Sequence, residues 1–182
     1  MVSNEVFVVS YDHSWPKRFG ELGRRLRAAL GPLALRIDHI GSTAVPNLSA
    51  KPVIDLQISL AALEPVEGYR ARIEGLGFIW RAGNTDRMKR YFREIPGVRR
   101  THIHVRRAGS WSEQFALLFR DYLRQHPAEA ERYAALKIAL AGQHADDWHA
   151  YTTAKDPFIW ATIRRADEWA HNLGWEPGPS DC

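Results

Sequence analysis

Residues 33–60 read LALRIDHIGSTAVPNLSAKPVIDLQISL. The apolar positions Leu33, Leu35, Ile37 and Ile40 stop abruptly at Gly41-Ser42, and a link of small and polar residues follows, most of it between Pro46 and Pro52. Strict alternation then marks residues 53–58 as a second strand. Ile54, Leu56 and Ile58 share one of its faces, while Asp55 and Gln57 project from the other. One strand therefore delivers the chain to a Gly-Ser turn, and a neighbouring strand sets a carboxylate beside it.

These residue types suit a phosphate. Glycine allows close backbone approach, and the Ser42 hydroxyl and turn amides can donate to phosphate oxygens. Asp55 could hold the Mg²⁺ that such a ligand carries. Lys51, just ahead of Pro52, could neutralise a phosphate or pair with Asp55. The plainer alternative is a strand-ending turn beside a polar residue on a solvated face.

Upstream, residues 6–9 suggest a short strand or extended lead-in. Ser14 and Pro16 then open a helix with Trp15, Phe19, Leu22, Leu26 and Leu30 on one side, stopped by Gly31-Pro32. Downstream, a second helix starts at Glu64-Pro65, and residues 78–80 form a short buried strand. Residues 90–95 and 98–107 form a hairpin around Pro96-Gly97. The rest reads as helices over 112–125, 127–142 and from Asp156-Pro157 onward, with a Gly/Pro-rich tail over 172–182 expected to be flexible. Strands grouped between helices, with a helical last third, indicate an α+β class and one domain over 1–171.

At 182 residues, with 45% hydrophobic and 25% charged, the chain has the composition of a soluble domain able to bury a core. No apolar run approaches the ~20 residues of a membrane span, and MVSNEVFVVS carries no basic region followed by an apolar core. The single cysteine, Cys182, excludes disulfides within the chain and zinc-thiolate sites. Together these give the expectation of a cytoplasmic protein. The net charge of +4 is too mild to argue for nucleic acid. Arg81, Arg87, Lys89, Arg90, Arg93, Arg99, Arg100, Arg106 and Arg107 nonetheless crowd the middle of the chain, either to receive an acidic small molecule or as a solvated sheet edge.

In the second arm of the hairpin, His102 and His104 share a face, about 7 Å apart along the backbone. With Asp55 they could bind one Zn²⁺, Mn²⁺ or Fe²⁺, grip a phosphate, or act as acid and base near neutral pH. They could equally face a partly wet groove. Lys137 and Lys155 read as well as exposed helix charges as ligand contacts, Arg120-Asp121 as an ion pair as well as a contact, and His39 as a pocket wall.

The string HIGSTAVPNLSAKPVIDL (39–56) resembles the signature of the GrpB family, a branch of the nucleotidyltransferase superfamily. The likeness continues in RYF (90–92), THIHV (101–105), GS (109–110), LLFRDYLRQHP (117–127), YAALK (133–137) and KDPFI (155–159). It implies a DNA polymerase β-like fold, with a mixed sheet of about five strands flanked by helices. Active members of the superfamily have a Gly-Ser turn, two acids spaced i, i+2 on one strand, and a third acid from a later strand, holding two Mg²⁺ ions. Here the second acidic position is Gln57, a neutral amide, and His102 and His104 stand where the third acid is expected. A transferase of nucleotidyltransferase type is therefore one reading, with nucleotidyl transfer in doubt. The other is a non-catalytic binding or folding-accessory domain, of the kind fused to some dephospho-CoA kinases. Under either reading, Gly41, Ser42, Lys51, Asp55, Gln57, Arg90, His102 and His104 are expected to converge on one concave site for a small phosphorylated ligand. Asp55, His102 and His104 are its catalytic and metal-ligating candidates.

Overall fold

The computed structural model describes residues 6–98 and 100–182. Its elements are helix α1 (Trp15–Leu30), strands β1 (Arg36–Ile40) and β2 (Ile54–Leu60), α2 (Glu67–Glu74), β3 (Phe78–Trp80), β4 (Lys89–Glu94) and β5 (Thr101–Arg107). Four helices follow: α3 (Trp111–Gln125), α4 (Pro127–Gln143), α5 (Trp148–Thr153) and α6 (Asp156–Leu173). The five strands form one mixed sheet in the order β1-β2-β5-β4-β3, in which β2 and β5 run parallel and the other pairs antiparallel. The α+β architecture and the five-stranded mixed sheet expected from the sequence are present.

The two faces of the sheet differ sharply. Ile37, Leu56, Ile58, Phe92, Ile103 and Val105 point to one side and pack on Trp15, Phe19 and Leu26 of α1 and on Tyr69 and Ile73 of α2. Burying that apolar surface is the main stabilising term of this half. The opposite face is polar, because the alternation that buries Leu56 and Ile103 sends their neighbours the other way. Paired positions place Ile40, Asp55, His102 and Arg93 in one cross-strand row, and Asp38, Gln57, His104 and Tyr91 in the next.

Helix α3 covers the second row. Ser110 caps it by accepting from Glu113 N–H, and Glu113 reaches back to Gly109 N–H, a reciprocal cap that fixes where the helix leaves the sheet. Helices α4 and α6 pack on α3 through Leu118, Tyr122, Leu123, Ala130, Tyr133 and Ala166. Tyr151 of α5 packs with Val6, Leu140 and Ala141.

Several boundaries depart from the expectations. The lead-in over 6–9 makes only an isolated bridge, Val9 to Ala50. The second helix starts at Glu67, since the segment at Glu64-Pro65 serves as an approach in which the Glu64 carboxylate takes the Val66 N–H. Strand β5 starts at Thr101 rather than 98, and Arg99 of the basic cluster lies outside the described residues. Helix α5, which is short, gave no periodic signal. The end of the segment expected to be flexible lies along β1: Ser180 Oγ accepts from Ile37 N–H, Asp181 accepts from His39 N–H, and Cys182 N–H donates to the Ile37 carbonyl. The reason is β1's position at the sheet edge, whose free backbone groups call for partners. No helix among the described residues is long and apolar enough to cross a membrane.

Candidate functional site

The turn after β1 is built for close approach. Gly41 sits at φ +70°, and a Cβ there would stand 2.8 Å from Asp55 Oδ2, so the position requires glycine on both counts. His39 anchors the turn from behind. Its ring stacks on Phe19 at 4.7 Å, and its Nε2 lies 3.0 Å from Thr43 Oγ1, which itself donates to the Val53 carbonyl. With the Thr43 proton committed to Val53, His39 must be the donor, and burial holds its pKa down to about 3, in keeping with a neutral ring. His39 therefore positions the turn from the core side and does not line the pocket.

Asp55 is the pivot of the polar face. Its Oδ1 lies 3.1 Å from His102 Nδ1 and 3.4 Å from His104 Nε2, and Tyr91 packs against both rings with centroids 5.5 and 5.3 Å away. Burial alone would raise the Asp55 carboxyl, but the hydrogen bonds to His102 and His104 outweigh it and hold the group below the ordinary carboxylate range. Burial pushes His104 down to about 4, against the pull of Asp55, so its ring is neutral at physiological pH. These three residues form a compact set whose ligand atoms all lie within 4.8 Å of one another.

Beyond Asp55 and His102 opens a cavity of about 220 Å³, lined also by Ser42, Thr43, Lys51, Lys137, Tyr151 and Lys155. The sheet and its turn form the floor, and α4, α5 and the start of α6 form the roof. Lys137 is only 2% exposed. Its Nζ donates to the Ser49 carbonyl at a short distance and lies 4.6 Å from the Tyr133 ring centroid. Lys51 and Lys155 both lie over the Tyr151 ring, at 5.5 and 4.5 Å. Among the described residues none of the three lysines has a carboxylate within ion-pair range. Burial lowers all three: Lys51 to about 8, helped by Arg100 and Lys155, Lys137 to about 7, helped by Lys155, and Lys155 in the same direction. Among the described residues lining the cavity, Asp55 is the one carboxylate beside the three lysines.

The expected site is thus only partly assembled from the expected residues. Ser42, Lys51, Asp55 and His102 line the cavity, Gly41 backs Asp55, and His104 braces Asp55 from the next row. Gln57 does not reach it. The side chain is fully buried, accepting a short hydrogen bond from Arg106 and donating to the Glu113 carbonyl under α3. Arg90 is not there either. It pairs with Val105 across the sheet, on the face opposite Asp55, and its guanidinium bonds Glu64 with Nε 2.9 Å from the carboxylate. Counting two positions along β4 selects Tyr91 and Arg93 instead. Of Lys137 and Lys155, which read equally well from sequence as exposed helix charges, the first is buried and the second half-buried at the cavity. The signal that could have found them is their place inside the YAALK and KDPFI motifs, Lys137 within α4 and Lys155 at the cap of α6. Arg120-Asp121 is an internal ion pair, with Nε to Oδ1 at 2.7 Å.

A family model described as GrpB protein matches residues 5–165. The UPF0157 protein YqkA of Bacillus subtilis is 36% identical over 165 residues, covering 91% of this chain and 48% of its own length. A dephospho-CoA kinase of Mycobacterium tuberculosis is 32% identical over 196 residues, covering 93% of this chain and 48% of its own. The chain therefore spans about half the length of these curated relatives. Among solved structures, conserved protein GrpB from Enterococcus faecalis superposes with a TM-score of 0.82 at 34% identity, covering 90% of this chain and 99% of that one. Cid1 poly(U) polymerase with Mg 3′-dATP bound gives a TM-score of 0.53 at 11% identity, over 81% of this chain and 49% of that one, a likeness of fold. The glycine-serine turn, the mixed sheet and the matched span agree: this chain belongs to the GrpB family, on a nucleotidyltransferase-like fold.

Proposed function

We propose that this chain is a cytoplasmic protein that binds a small phosphorylated molecule, a nucleotide or another multiply charged phosphate ester, in the cavity between the Gly41-Ser42 turn and α4–α6. The observation that carries the reading is the convergence of Lys51, Lys137 and Lys155 on a cavity with a single carboxylate. Holding one buried and two half-buried lysines together without anionic partners costs stability, and a multivalent anion offsets that cost when it binds. The Ser42 hydroxyl supplies a neutral donor at the floor, and Asp55, His102 and His104 stand at the inner end, where a divalent ion could join the phosphate.

A second reading, a non-catalytic accessory domain, has its own support. The matched region makes up about half of the dephospho-CoA kinase relatives, and the second acidic position of an active nucleotidyltransferase is a buried amide tied to Arg106. Binding without nucleotidyl transfer satisfies both sets of observations. The test is a thermal-shift screen of nucleotides, coenzyme A precursors and inorganic polyphosphates in chelator. A ligand at 100 times its Kd raises stability by about 2.7 kcal/mol. If no phosphorylated compound in the screen shifts the transition, the reading fails. Pyrophosphate release from a nucleoside triphosphate with Mg²⁺, lost in Asp55→Ala, would restore nucleotidyl transfer.

A further inference from the structure

The fold relatives lead one to expect a pair of Mg²⁺ ions at this end of the sheet, and the residues present do not fit a pair. Asp55 is the only carboxylate in its row. One position deeper, where a second carboxylate is needed, the Gln57 oxygen is taken by Arg106, so a guanidinium occupies the place from which a second cation would draw negative charge. Lys51 and Lys155 at the cavity add to that repulsion. Mg²⁺ also prefers octahedral oxygen ligands, and two of the three donors are imidazole nitrogens.

The same residues do fit one ion of another kind. Donors in a tetrahedral site with ~2.0–2.1 Å bonds stand ~3.3 Å apart. The two edges from Asp55 Oδ1 are 3.1 and 3.4 Å, with all three donor atoms inside 4.8 Å. Asp55 and His102 are directly paired on the parallel strands β2 and β5, His104 lies one row further along β5, and Tyr91 packs both rings, so the set is held by the sheet rather than by loops. Asp55 and His102 both border the cavity, which leaves the remaining coordination position facing the lysines. We propose that Asp55, His102 and His104 bind a single imidazole-preferring first-row ion of the Zn²⁺ type, in place of a Mg²⁺ pair, with its open position toward the anion cavity. This deepens the reading above, on which it rests for what the open position faces.

Chelator-treated, dialysed protein is titrated with Co²⁺, whose visible absorption reports geometry, and then with Zn²⁺ and Mg²⁺ as competitors, with and without pyrophosphate. The proposal expects one Co²⁺ per chain with tetrahedral bands, displacement by one Zn²⁺, and none by roughly a thousandfold excess of Mg²⁺. Affinity should fall at least roughly a hundredfold in both His102→Ala and His104→Ala. Absence of Co²⁺ and Zn²⁺ binding to the wild-type chain, binding of two Mg²⁺, or Co²⁺ affinity unchanged in both variants would overturn it. Because the wild-type titrations stand alone, a variant that fails to fold does not change what they decide. The two readings separate cleanly. Pyrophosphate binding in chelator with no Co²⁺ site sinks the metal and spares the anion cavity, whereas a Co²⁺ site indifferent to pyrophosphate confirms the metal and counts against the cavity.

Discussion

The polar face of the sheet has two ends, built from the same residue types and put to opposite uses. Under α3, Asp38 and Arg120 are held in ion pairs. Asp38 takes Arg36 at 2.9 Å, and Arg120 bonds Asp121, Asp181 and the His39 carbonyl, while Gln57 joins Arg106 to the helix backbone. At the cavity end, Lys51, Lys137 and Lys155 find, among the described residues, only ring faces and one backbone carbonyl. Buried charge by itself therefore says nothing about function. Its state of pairing is more informative: the paired network holds α3 to the sheet, and the lysines without carboxylate partners are where the proposed anion would bind.

The largest effect expected from this contrast is at the paired end. Asp38→Ala strips a fully buried carboxylate from Arg36 and leaves Arg120 beside one fewer anion. It should destabilise the fold by about 3–5 kcal/mol in denaturant melts. Anion affinity of the remaining folded protein should hold, and a loss of affinity matching the loss of stability would erase the distinction between the two ends.

The reverse pattern should appear at the cavity. Lys137→Met removes a buried, unpaired ammonium and should stabilise the chain by about 0.5–2 kcal/mol while weakening anion binding by about 1.5–3 kcal/mol. The sign with pH is fixed. The folded pKa of about 7 lies below the ordinary lysine value of 10.5, so the wild-type penalty is fully present below pH 7. That penalty fades as pH climbs toward 10.5, and the gain of the variant should fade with it. Equal or lower stability of the variant at pH 7 would show that Lys137 is paired in solution.

How much of this is legible in the sequence follows from where the information sits. Alternation along residues 53–58 and 101–105 is local, and it correctly gives the two strands, the polar face and the Asp55-His102-His104 grouping. The Gly41 requirement can be read as a turn but not as an encounter with Asp55, which depends on strand pairing. Arg90 is misplaced because a one-residue error in phase moves a strand side chain to the other face. Lys137 and Lys155 stay ambiguous because a lysine on a helix looks the same in sequence whether its tip meets water or a cavity roofed by another helix. Gln57 reads from sequence as a weak metal ligand within the site, and that its amide is instead tied to Arg106 emerges only once β5 lies beside β2.

Histidines gripping a phosphate would make anion binding depend on pH in a window near 6.5. The lysines add a window of their own, since burial lowers Lys51 to about 8 and Lys137 to about 7, while His104 is held down at about 4. Bound anion raises lysine pKa values, so binding takes up protons. Sulfate, whose own charge is constant here, should bind more tightly as pH falls from about 9 to 7, by up to about tenfold per unit for each lysine that titrates, and then level off. Steepening below pH 6.5 instead would return the effect to the histidines.

The smallest effect is expected from Gln57→Glu. The new carboxylate should pair with Arg106 inside the buried network, changing stability by less than about 1 kcal/mol and conferring no Mg²⁺-dependent pyrophosphate release. Gained activity would mean that the amide alone had silenced the site.

The central claim is that three unpaired lysines make the cavity an anion site. Its most direct test is calorimetric titration of pyrophosphate, in chelator at pH 7, into the wild-type chain and into the Lys51→Met, Lys137→Met, Lys155→Met triple variant. One saturable site in the wild type and none in the folded triple variant is the expected result; no heat in the wild type, or the same isotherm in both, would contradict it.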